Sequence, residues 1–216
     1  MLHFETSEYQ SRVDAAKISV VEAGLDGILL FAPESQYWLT GYDTFGFAMF
    51  QCMVLSANGD VHLLTRAPDL RQAQQTSTLS DDHIHIWKDI EGVNPAMALQ
   101  ALLTDLGLYG KKLGIETKTA GLTAFNGDLV RSAIVDGTEL IESSDLIATL
   151  RRIKSPAEIA FTRKAAELSD LSLDAAIEAM HVGAFEGDIL AAMQGCVFAE
   201  GGDYAGNEFI IGSGDA

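Results

Sequence analysis

Two histidines one residue apart, His83 and His85, follow two acids, Asp81 and Asp82. Alternate residues of a strand share a face, so a His-x-His step in strand-like sequence is the first place to look for metal chemistry. A structural zinc site needs four protein ligands and a catalytic one about three. His62 lies in a separate strand-like run, His3 near the N-terminus and His181 at a helix end, so no third and fourth ligand has a defensible position. The pair therefore reads as a solvated strand face, and no metal ligand is assigned in this chain.

The densest cluster is aromatic: Tyr37, Trp38, Tyr42, Phe45, Phe47 and Phe50. Core packing is the first reading for Trp38 and Phe50. Tyr42, Phe45 and Phe47 fall in a glycine-containing, loop-like run, where rings can wall a binding site instead of filling a core. Other signatures are absent. There is no HExxH, no CxxC and no G-x-S-x-G around Ser213, and Gly110-Lys111 lacks the rest of a phosphate loop. Cys52 and Cys196 are far apart in apolar segments, as buried thiols of a reducing compartment are.

The elements that must position these residues follow from periodicity. Ser7 can cap a helix in which Tyr9, Val13, Ala16 and Val20 recur at helical steps and which ends at Gly24. Gly27 to Ala32 is a short apolar run closed by Pro33, as in a strand covered on both faces. Phe47 to Leu55, an Asn58-Gly59 turn and Val61 to Thr65 read as a hairpin. His83 to Trp87 alternates, with Ile84 and Ile86 expected inward. A helix over Leu99 to Leu106, a strand near Leu113 to Ile115, a helix over Leu122 to Ile134 and a strand at Thr138 to Ile141 complete an α/β layered pattern.

Ser155-Pro156-Ala157-Glu158 joins a Ser cap, Pro at the first helical position and Glu at the third, which is a capping box. It opens a long helix with Ile159, Ala166, Leu173 and Met180 on a seven-residue step, then a second helix carrying Ile189, Ala192, Met193, Cys196 and Val197. Asn207 to Ile211 reads as a strand. Two one-faced helices and one strand cannot cover each other, so residues 151–216 are expected to be the truncated start of a second domain after a first domain at 1–150.

The net charge of −17 on 216 residues repels phosphate backbones and anionic lipid heads, so nucleic acid and membrane partners are not expected. The acids are spread without a block, which is a solubility pattern. The opening residues lack the basic and apolar regions of a leader, and the cytoplasm is the expected location.

The segments GILLFAPESQYWLTGYDTFGF at 27–47 and RRIKSPAEIAFTRKAAELSD at 151–170, with Arg12 in the first helix, resemble the creatinase/prolidase/Xaa-Pro aminopeptidase superfamily. The resemblance implies a creatinase-like, RNase H-like N-terminal domain, a mixed sheet with helices on both faces. The first helices and strand of an α+β pita-bread catalytic domain would follow. It implies a homodimer in which the loop bearing Tyr42, Phe45 and Phe47 lies near the partner's active site and binds substrate, although the neighbouring Arg of creatinase has no evident counterpart. It further implies that the catalytic residues lie after Ala216, and with them, in a peptidase, two divalent ions (Mn, Co or Zn) on two Asp, one His and two Glu. The fragment alone is expected to be inactive and metal-free. Function is then a C–N hydrolase, an Xaa-Pro peptidase by default. A metal-free or small-molecule relative, creatinase-like or ectoine hydrolase-like, and an inactive pita-bread binding module remain open.

Overall fold

The computed structural model describes residues 2–134, 137–206, 208–212 and 214, with the side chain of Phe47 left out. The chain divides into two compact units, Met1–Ile153 and Lys154–Ala216.

The first unit is built on a six-stranded mixed sheet. Its strands are β1 (Gly27–Leu30), β2 (Cys52–Ser56), β3 (Val61–Arg66), β4 (Ile84–Trp87), β5 (Lys112–Ile115) and β6 (Glu139–Glu142), in the order β4-β3-β2-β1-β5-β6. β1 pairs antiparallel with β2 and parallel with β5, so it is central, as its unbroken apolar run requires. Its alternate residues serve two cores. Leu29 and Phe31 join Val54, Leu64 and Trp87 beneath α4 (Pro95–Asp105) and α5 (Ala124–Ile134). Ile28 and Leu30 join Met53, Leu55 and Leu63 on the other face. That face is covered by α1 (Thr6–Glu22), α2 (Pro33–Thr40), α3 (Leu70–Thr76) and α6 (Ser144–Leu150), through Ala16, Val20, Leu39, Ala73 and Ile147.

Three details differ from expectation. Residues 38–40, read as loop, belong to α2, because Pro33 starts a helix that Gly41 ends at φ 83°. β2 begins only at Cys52, since Gly46–Ala48 form a 3-10 turn. Along β4 the alternation holds but the faces do not divide into core and solvent. Ile84 is buried in one core and Trp87 in the other, while Ile86 is 39% exposed. β4 is an edge strand with helices on both sides of the sheet, so its burial follows the reach of those helices.

The second unit is α7 (Pro156–Ala179) packed on α8 (Glu186–Ala199). The capping box is formed, with Glu158 N–H donating to Ser155 Oγ at 3.1 Å and Ser155 N–H to Glu158 Oε2 at 2.8 Å. The buried residues of α7 are Ser172 and Ala176, whereas Ile159, Leu173 and Met180 are exposed. Ser172 and Ala176 of α7 are thus buried together with Ile189 of α8. Residues 208–211 form no strand, and Asn207 lies outside the described residues. Among the described residues no helix is long and apolar enough to cross a membrane.

Candidate functional site

The aromatic loop between α2 and β2 is held at both ends. At the start of α2 the carboxylate of Glu116, just beyond β5, accepts from Phe31 N–H at 3.0 Å, Ala32 N–H at 2.8 Å and Ser35 Oγ–H at 2.6 Å. An acceptor at a helix N-terminus satisfies donors that the helix leaves free. Burial nevertheless dominates and pushes the Glu116 carboxyl up to about 6, with the three hydrogen bonds opposing it. Gln36 Nε2 adds a bond to Leu30 O at 2.9 Å. Gly121 packs so close to the Phe31 carbonyl that no side chain fits there.

At the other end of α2, Gly41 N–H donates to Tyr37 O at 2.7 Å, in a left-handed conformation that suits glycine. Tyr42 then turns inward. Its ring is fully buried and its hydroxyl donates to Thr44 Oγ1 at 3.2 Å, with Thr65 Oγ1 3.4 Å away. Burial pushes its phenol up. Thr44 Oγ1 also accepts from Gly46 N–H at 2.9 Å and Gln51 Nε2 at 3.3 Å, so one hydroxyl ties the loop to itself. Asp69, buried beside Gly46, receives Arg66 Nε at 2.9 Å, and Arg66 Nη1 reaches Asp89 at 3.1 Å. Beyond the tip, the Phe50 carbonyl accepts from Trp87 Nε1 at 3.0 Å, and Phe50 stacks edge-on between Phe31 and Trp87.

Between these anchors Phe45 is 77% exposed. The structure thus separates the three candidate rings. Tyr42 is a core residue that supports the loop, Phe45 stands outside, and the side chain of Phe47 lies outside the described ones. Trp38 and Phe50 are buried. The loop therefore presents an exposed ring on a backbone tied down at several points. His83 and His85 do come together, with His62 as the third ring. Among the described residues no group of three or more His, Cys, Asp or Glu is placed to hold a metal ion.

Glu116, Thr44, Gln51 and the Arg66–Asp69 pair escaped the sequence. The partners of Glu116 lie far off in the chain and those of Thr44 and Gln51 depend on the turn between α2 and β2, while Arg66 and Asp69 are three residues apart in a segment whose conformation the sequence leaves open.

Residues 12–153 match a family profile described as the Creatinase/Prolidase N-terminal domain. The chain is 27% identical over 172 residues to ectoine hydrolase of Halomonas elongata, covering 77% of this chain and 43% of that protein. Its fold is similar to a recombinant prolidase from Thermococcus sibiricus, with a TM-score of 0.72 at 22% identity, over 90% of this chain and 50% of that one. An Xaa-Pro dipeptidase from Bacillus anthracis gives 0.69 at 22% identity, over 89% and 50%. The chain therefore spans about half the length of the proteins it resembles.

Proposed function

Because this chain belongs to the creatinase/prolidase family, whose N-terminal domain it carries at residues 12–153, we propose that the intact protein hydrolyses a C–N bond. An Xaa-Pro peptidase is the default activity. This chain's part is to bind substrate rather than to supply the reacting groups. The observation that carries its part is Phe45, an exposed ring on a loop pinned from both sides. In a homodimer that ring would wall the active site of the second subunit, where an apolar surface favours the body of a small substrate. Tyr42 contributes by holding the loop, and Phe47 belongs to the same tip.

A second reading, a metal-free or small-molecule hydrolase of the creatinase or ectoine hydrolase kind, is favoured by the similarity to ectoine hydrolase. The two divalent ions of the peptidase reading do not fit this chain's described residues, which offer no three-ligand group, so no step here passes through metal. The test is turnover by the intact protein of Xaa-Pro dipeptides and of ectoine, each with and without added Mn, Co or Zn. Turnover of the dipeptides supports the first reading and of ectoine alone the second. Turnover of neither favours an inactive binding module.

A further inference from the structure

Three imidazoles from three elements meet on one face of the sheet edge. His62 comes from β3, His85 from β4 and His83 from the 3-10 turn Asp81–His83 that leads into β4. His62 Nδ1 and His85 Nε2 lie 3.1 Å apart, and the His62 ring sits 4.3 Å from the His83 ring and 5.2 Å from that of His85. A neutral pair satisfies this geometry, because one nitrogen donates and the other accepts. With both rings charged, two N–H groups face each other at that distance, beside a third imidazole, and the bond is lost.

β4 does not end at its histidine. Two residues on and on the same face, Trp87 anchors the Phe50 carbonyl and packs against its ring, closing the C-terminal side of the loop that carries Phe45. β4 pairs with β3 alone, so its hold on the molecule is one ladder, its side chains and this cluster.

We propose that His62 and His85, with His83 beside them, form a proton-operated latch, which holds β4 on β3 at neutral pH and loosens β4, with the Trp87–Phe50 anchor, as those two rings become charged. The surroundings set its range. For His62, burial first, then His83 and His85, hold the ring below its ordinary value, opposed by Asp60 in the β2–β3 turn and by Asp82. For His85, burial and then His83 act downward, opposed by Asp105 at the end of α4 and by Asp82. The folded protein therefore binds fewer protons here than the unfolded chain. The latch is intact above the ordinary histidine range and is lost as pH falls through the lowered values. It does not depend on Phe45 binding substrate.

The test is an NMR titration of the protein from pH 7.5 to 5.0, following the imidazole C–H signals, the Trp87 indole N–H and the amides of residues 81–87. A Glu116→Gln background removes a buried carboxyl that also titrates in this range. The expected result is that the indole and β4 amides change with the midpoint of His62 and His85. His83→Gln should move that midpoint up, Asp82→Asn should move it down, and His85→Gln should abolish the step. If His85→Gln fails to fold, the opposite shifts from the other two variants decide. The latch is overturned if Trp87 and β4 do not follow the imidazoles, or if the two variants leave the midpoint in place or move it the same way. A stoichiometric response to Zn2+ at pH 7.5 that replaces the proton step would also overturn it, making the cluster a metal site.

Discussion

Phe45 and Tyr42 are three residues apart and call for opposite outcomes on truncation. Removing the buried Tyr42 ring leaves a cavity and takes the hydroxyl partner from Thr65, so Tyr42→Ala should cost about 3 to 5 kcal/mol of stability. Phe45→Ala, at an exposed site, should stay within about 0.5 kcal/mol while lowering kcat/KM of the intact enzyme. Thermal melts beside steady-state kinetics separate them; a Phe45→Ala melting temperature that collapses with activity would return the ring to the core. Glu116 makes a different prediction. Its carboxyl stands at about 6 in the fold against an ordinary 4.5, so its stabilising effect is full below about 4.5 and is lost as pH rises through 6. The loss is roughly 2 kcal/mol. Denaturant melts of Glu116→Gln against the parent should show that slope as their difference, free of the oppositely signed histidines. No difference between pH 4.5 and 6.5 would mean that the carboxyl is better solvated than its burial indicates.

Helix ends carry the predictions at the scale of elements. Gly41 ends α2 at φ 83°, and a Cβ there would lie 2.7 Å from Thr76 O and 2.8 Å from the Tyr9 hydroxyl. Gly41→Ala should therefore destabilise the first unit by more than the ~1 kcal/mol that a left-handed conformation alone accounts for. A smaller shift in the unfolding midpoint would show that Tyr9 can move aside. At the start of α7, Ser155→Ala removes the acceptor for Glu158 N–H and should cost about 1 kcal/mol. The α7 cap and the glycine after α1, Gly24 at φ 67°, were legible in advance as local chemistry within a few residues, whereas Ser7, read as the α1 cap, lies inside a helix whose cap is Glu5. α6 went unforeseen: seven residues bury little beyond Ile147 and Ser144, too short a run for its period to stand out.

For the molecule as a whole, the segment joining the two units is exposed and rich in basic residues. Ile153 is 88% exposed, and Arg151, Arg152 and Lys154 around it offer trypsin sites, between the last helix of the first unit and the start of α7. Limited trypsin digestion is expected to leave a stable fragment ending between Arg151 and Lys154, read by mass spectrometry. Cleavage within residues 25–142 ahead of that point would argue against a self-standing first unit.

What the sequence by itself determined is what short-range physics writes. The apolar run of β1 announced a central strand, Asn58-Gly59 a turn, the capping box a new helix, and the segments at 27–47 and 151–170 a resemblance that the family match and the folds of similar proteins bear out. The tertiary structure decided what depends on which elements lie side by side. Alternation along β4 marked two faces but not that helices cover both. The aromatic loop was visible, yet only the turn at Gly41 sends Tyr42 inward and leaves Phe45 outside. Pairing β3 with β4 in parallel set His62 against His85 across 23 positions of chain, and pairing β1 with β5 brought Glu116 to the start of α2. Burial, hydrogen bonding and proton affinity are properties of neighbours in space, and for these residues the chain places the neighbours far apart.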